Sequence, residues 1–179
     1  MSKKISFCVL SKKELDKAIE ELKSYKNELN GKIDLFVRKL AEKGVDIAKN
    51  KVSVYNKIDT GTLQDSINFK AGDVIKDGSV YYVYTDCEYA SFVEFGTGVV
   101  GEESSYPYTM PDGIDWNYAS GQHIKTLKDG RVGWFFPTDD GYRFTEGQSS
   151  SPFMTETAIE LSMQIVEVAK EVFGGASDS

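Results

Sequence analysis

The feature that most constrains this chain is a run of apolar residues at helical spacing that starts at Leu15 and lasts to Ala48. Leu15, Ala18, Ile19 and Leu22 share one helical face, and Tyr25, Leu29, Ile33, Phe36, Val37, Leu40, Gly44 and Ile47 keep its phase. A strand cannot carry that pattern, because its side chains change faces at every residue. Ser11 and Glu14 have the spacing of a capping box, with Leu10 and Leu15 at the two staple positions. The sequence therefore predicts a helix from about Lys12 to about Val54 whose whole stripe faces one core. Asn30-Gly31 is the place where it could kink or split, since glycine there costs about 1 kcal/mol relative to alanine.

The rest of the chain alternates between sheet and turn signals. Ile5–Leu10 reads as a strand before the helix. After the helix, Thr60 reads as a cap beside Gly61, followed by a short helical turn and a strand from about Ser66 to Ala71. Asp77-Gly78 is a favoured hairpin turn, and Val80, Tyr82 and Tyr84 alternate with Tyr81 and Val83 behind it. "RVGWFFP" and "GYRFT" form a second strand pair around "TDDG". Ser151 then caps a last helix with Pro152 at its first position. Phe153, Thr157, Leu161, Ile165, Val168 and Val172 line one face before Gly174-Gly175 stops it. The fold class is α+β: an antiparallel sheet with the long N-terminal helix and the C-terminal helix packed on one side. Residues 1–173 are expected to form one domain and 174–179 a disordered tail.

Composition narrows the chemistry. With 179 residues, 40% hydrophobic and 27% charged, the chain can bury a core as one soluble domain, and no apolar run approaches a bilayer span. Residence in the cytoplasm is expected, because the apolar run Ile5–Leu10 is too short for a secretion signal. Two cysteines, Cys8 and Cys87, make no disulfide framework, and the one histidine, His123, leaves no zinc set. No cofactor or metal is expected. A net charge of −7 opposes the phosphate attraction on which nucleic-acid binding depends, so sequence-specific DNA binding is not expected.

The segment "EYASFVEFGTG", Glu88 to Gly98, poses the main chemical question. Its glycines lack the Gly-Lys-Ser/Thr ending of a phosphate loop, and two glutamates, Glu102 and Glu103, stand where phosphate would come. A carboxylate-dependent hydrolase could use Glu88 with Glu94, or Glu94 with Asp115 or Asp139, but no spacing brings any two together. Cys87 has no helix-start context to activate its thiol. No catalytic residue is therefore assigned. The structural reading is a short helix in which Tyr89, Ala90 and Val93 share a face and Gly96 stops it. Glu94 is then a partly buried carboxylate in need of a donor, either a backbone amide or Arg143. The loop from Thr97 to about Arg131 carries Tyr106, Tyr108, Trp116 and Tyr118, expected to be exposed and to form a subunit interface.

Three motifs in register, "DTGTLQDSI" from Asp59, "YASFVEFGTG" from Tyr89 and "FTEGQSSSPFMTETAIE" from Phe144, resemble the tail-completion or neck proteins of bacteriophages with long non-contractile tails. The likeness runs from about Lys12 to Phe173. The chain departs from that pattern in its longer, more acidic loop 99–131 and in Glu156, near where the last helix often carries a proline. The resemblance implies Thr60, Gly61, Tyr89, Glu94, Gly96, Pro152 and Phe153 as structural motif positions. It implies a non-enzymatic virion protein, made in the host cytoplasm, that forms a homo-oligomeric ring and meets head-closure and tail tube or terminator proteins, without a membrane role. A hydrolase and a prophage-derived assembly or binding module are the alternatives.

Overall fold

The computed structural model describes residues 11–57, 61–73, 78–118, 124–138 and 140–174. The expected strand Ile5–Leu10, Cys8, Asp59, Thr60, Asp77, His123, Asp139 and the tail beyond residue 174 lie outside them. The elements are α1 (Lys12–Val54), α2 (Thr62–Ser66), β1 (Asn68–Ala71), β2 (Tyr81–Tyr84), α3 (Ala90–Phe95), α4 (Gly98–Glu103), β3 (Lys125–Thr126), β4 (Val132–Thr138), β5 (Gly141–Thr145), β6 (Gly147–Gln148) and α5 (Phe153–Phe173). The fold is α+β. Its strands do not form one sheet, however: β1 pairs with β2, and β3, β4 and β5 make a separate three-stranded sheet.

Helix α1 has the predicted ends and runs unbroken through Gly31. A Glu28–Lys32 pair at 3.6 Å spans the glycine on the helix surface. The expectation that its whole stripe faces one core is overturned. Ala41, Ile47, Ala48 and Val52 are buried, whereas Leu15, Ile19, Leu22 and Leu29 are exposed, Leu22 by 52%.

The chain divides into two compact units, one of Met1–Asp46, Phe69–Tyr84 and Glu160–Ser179, the other of Ile47–Asn68 and Thr85–Ile159. In the first, α5 runs antiparallel along α1. Phe36 meets the Phe173 ring at 5.8 Å, Lys39 pairs with Glu171, and Lys43 Nζ donates to Gln164 Oε1 at 3.4 Å. Gly44 permits the close approach: a Cβ there would stand 2.9 Å from Val83 and 3.4 Å from Leu161. The β1–β2 pair is tied to α1 by Tyr81, whose hydroxyl donates to Asp34 at 3.2 Å. Ile165, expected on the buried face of α5, is exposed, while Gln164 turns to Lys43 in its stead. A row read every fourth residue drifts off a 3.6-residue helix, and Ile165 is where this row leaves the contact.

In the second unit, Val52, Leu63, Ile67 and Phe153 are the largest of the fully buried apolar side chains. The β4–β5 hairpin has the expected turn, with Thr138 opposite Gly141 and Phe135 opposite Phe144. Segment 97–131 is not one long loop, since it opens with α4 and carries β3 at Lys125–Thr126.

Candidate functional site

The segment around Glu94 joins three stretches of the second unit. Gly61, at a φ of 83°, precedes α2, and the Leu63 amide at the start of that helix donates to the Tyr89 hydroxyl at 3.2 Å. Tyr89 stands directly before α3, where Ala90 and Val93 turn inward. Gly96 ends α3 at a φ of 83°, its amide donating to Phe92 O. A Cβ on Gly96 would come within 2.7 Å of Ser150 N, and one on Gly98 within 2.3 Å of Glu146 O. The space a phosphate would need beside these glycines is filled by the protein's own backbone.

Glu94 is the most buried carboxylate among the described residues, 6% exposed. Its Oε2 accepts the Met154 amide at 2.8 Å and its Oε1 the Thr155 amide at 3.0 Å. These are two of the N–H groups that the first turn of α5 leaves without helical partners. The third, Phe153 N, donates to Ser151 O at 2.7 Å, and the first helical bond runs from Glu156 N to Pro152 O at 2.9 Å. This corrects the expected cap: Pro152 stands one place before the helix, Ser151 contributes its carbonyl, and the side-chain cap comes from Glu94, sixty residues earlier. Proline has no cap side chain of its own, so the helix start depends on a distant acid. Ser150 Oγ donates to Glu94 O at 2.6 Å and Ser151 N to Val93 O at 2.8 Å, locking α3 to the same turn. Of the two donors the sequence offered, the backbone amide is the one observed.

Burial pushes the Glu94 carboxyl above its usual range, and the amides of Met154 and Thr155 oppose that rise only in part. Glu156 behaves in the opposite way. Burial pushes it up, but the Tyr55 hydroxyl and the Lys51 ammonium outweigh this and hold it below the usual carboxylate range. Tyr55 donates to Glu156 at 2.5 Å, Lys51 lies at 3.2 Å and Tyr108 at 3.4 Å. Burial and then Glu156 raise the Tyr55 phenol. Only the unusual acid at position 156 pointed to this polar cluster before the fold was known.

The four loop aromatics are brought together, but inward. Tyr106 stacks edge-on to Phe95 at 5.1 Å and Trp116 meets Phe95 at 5.0 Å and Phe92 at 5.8 Å. Tyr108 meets Tyr106 at 5.6 Å, and Tyr106 N donates to the Tyr118 hydroxyl at 3.0 Å. Tyr106 is only 7% exposed, which overturns its expected exposure; Trp116 and Tyr118 are half-buried and Tyr108 is 38% exposed. Helix α3 supplies the apolar platform, and the polar ends find acceptors: Trp116 Nε1 donates to Gly96 O at 2.9 Å.

The arrangement is one of support. Both Glu94 oxygens are engaged by backbone amides, and no metal-type cluster of acids, histidine or cysteine occurs among the described residues. Residues 16–96 match the family described as "Bacteriophage HK97-gp10, putative tail-component". Over that stretch, a little under half of the chain, it is similar to HK97-gp10-like phage tail components. The match accords with the resemblance to tail-completion proteins and takes in Gly61, Tyr89, Glu94 and Gly96, ending just past α3. No curated protein and no solved structure matches the chain. Among the described residues no helix is long and apolar enough to cross a membrane.

Proposed function

We propose that this chain is a phage tail component, a non-enzymatic virion protein of the head-proximal end of the tail. It closes with its own copies into a ring and lets the tail dock on the filled head, through contacts with head-closure proteins on one side and tail tube or terminator proteins on the other. The observation that carries this reading is the family match over 16–96, which covers all of α1 but its first turn. The commitment of Glu94 to the start of α5 supports it, since the one deeply buried acid among the described residues is used to hold the fold. The exposed edge of the aromatic cluster, Tyr108, is the member offered to a neighbouring copy, with Trp116 and Tyr118 behind it. Residues 1–173 are taken as one working module. The excess of acids, at a net charge of −7, keeps a surface near a DNA path non-adhesive.

The test is to stop synthesis of the protein in an infected cell and examine the products by electron microscopy. The expected result is filled heads and finished tails that stay apart, rescued by adding the purified protein. Infectious particles at the normal yield would sink the reading, and loss of tails altogether would move the protein to an earlier step.

A further inference from the structure

The apolar face of α1 is covered by α5 along one half, while along the other its large side chains are exposed and only the small Ala18 between them is buried. Within the unit of Met1–Asp46, Phe69–Tyr84 and Glu160–Ser179, α5 lies along it from Gly44 to Phe36, where Phe173 ends the contact. Past Phe173 the same face continues with Leu29, Leu22, Ile19 and Leu15, all exposed. Leu15, Leu22, Leu29 and Phe36 stand seven residues apart, so they form one seam of a helix pair, and α5 fills only one end of it.

The open end has a defined shape. A hollow of about 70 Å³ is lined by Tyr25, Glu28, Leu29 and Lys32, with Phe173 as its end wall. The first four stand at i, i+3, i+4 and i+7, the spacing of the hole that receives one side chain from a facing helix. Ligand pockets run to roughly 300–1,000 Å³. The hollow therefore suits a single side chain.

Charge and space decide what brings it. One edge of the seam is a row of acids, Glu14, Glu21 and Glu28, each next to a seam leucine. Among the described residues Glu21 pairs along the helix with Lys17 at 4.0 Å and Glu28 with the half-buried Lys32 at 3.6 Å, surface pairs of the kind that contribute little and can be exchanged. A second copy laid parallel would drive its own Phe36–Gly44 stretch into the space that α5 fills. Laid antiparallel, it would set its Glu row against this one, because antiparallel helix pairs bring like edges together. Both arrangements of a second copy are disfavoured.

We propose that α1 over Leu15–Leu29 receives one amphipathic helix of a different virion protein, running antiparallel to α1 from the end of α5, with a basic edge facing Glu14, Glu21 and Glu28. An apolar anchor of that helix enters the hollow beside Leu29. The inference deepens the tail-component reading and rests on it only in taking the partner to be another protein of the particle.

The test uses the full chain and two labelled synthetic helical peptides of about three heptads, identical in their leucine seam and differing in one edge, lysine in one and glutamate in the other. Binding is read by fluorescence anisotropy. The lysine-edged peptide should bind about tenfold more tightly, as expected for three new ion pairs. Leu22→Asp should abolish binding with helicity retained in circular dichroism, and the triple variant Glu14→Lys, Glu21→Lys, Glu28→Lys should reverse the preference. Met163→Asp, on the exposed side of α5, should leave binding unchanged. The proposal is overturned if neither peptide binds, if both bind equally, or if the triple variant keeps the original preference. It is also overturned if sedimentation shows the chain self-associating and Leu22→Asp dissolving that association, since a second copy would then close the face. None of these failures touches the head–tail joining test above, which reads the whole protein in the particle.

Discussion

The start of α5 and the first half of α1 are both apolar helix faces with carboxylates beside them, and they end in opposite states. At α5, Phe153 is fully buried and Glu94 is engaged by two amides from its own chain. At α1, Leu15, Leu22 and Leu29 carry the same kind of pattern, yet they stay in water with Glu14, Glu21 and Glu28 along their edge. Amphipathicity says that a face is built to be covered. It does not say whether the cover lies in the same molecule.

The comparison breaks first where the effect is largest. Phe153→Ala should destabilise the isolated protein by about 3–5 kcal/mol, measured by denaturant unfolding, because its side chain is fully buried. A cost under about 1 kcal/mol would mean that the α5 start is not a packed core. Next, Glu94→Ala should cost about 2 kcal/mol or more, since it leaves the Met154 and Thr155 amides without acceptors. Glu94→Gln, which keeps one acceptor oxygen, should cost less; equal costs would show that the cap is not what the acid supplies.

The pH dependence sharpens the same point. Glu94 is raised in the folded state, chiefly by burial, above an ordinary value of 4.5. Its contribution is therefore fully present below that ordinary value and is lost as pH rises through the folded one. Glu156 is lowered, so its contribution is present above its ordinary value and lost as pH falls through the folded one. Because the two run in opposite directions, the quantity to follow is the stability of the wild type minus that of Glu94→Gln. It should shrink from pH 4 towards pH 8; growth over that range would contradict the raised carboxyl. The smallest effect belongs to α1: Leu22→Ala should change the stability of the isolated chain by no more than about 0.5 kcal/mol, in keeping with its 52% exposure.

How much of this was legible in the sequence depended on distance along the chain. The ends of α1 were readable, because cap spacing and periodicity are local, and so was the Phe135–Phe144 hairpin around its turn. The need of Glu94 for a donor was readable from its apolar neighbours. The identity of that donor was not, since Met154 and Thr155 enter only when α3 and α5 meet. The same gap misplaced the loop aromatics, whose platform, Phe92 and Phe95, lies in a different element from Tyr106 and Trp116. Glu156 was visible only as an odd residue, and its partners Lys51 and Tyr55 come from the far end of α1.

The most direct measurement of the central claim, that one apolar face is closed by the chain itself and the other by the particle, is carbene footprinting of the free protein and of assembled tails, read by mass spectrometry. Peptides covering Leu15–Leu29 should label heavily in the free protein and lose most of that label in tails, while those covering Phe153 and Glu94 stay protected in both. Equal labelling of Leu15–Leu29 in the two states would contradict the account.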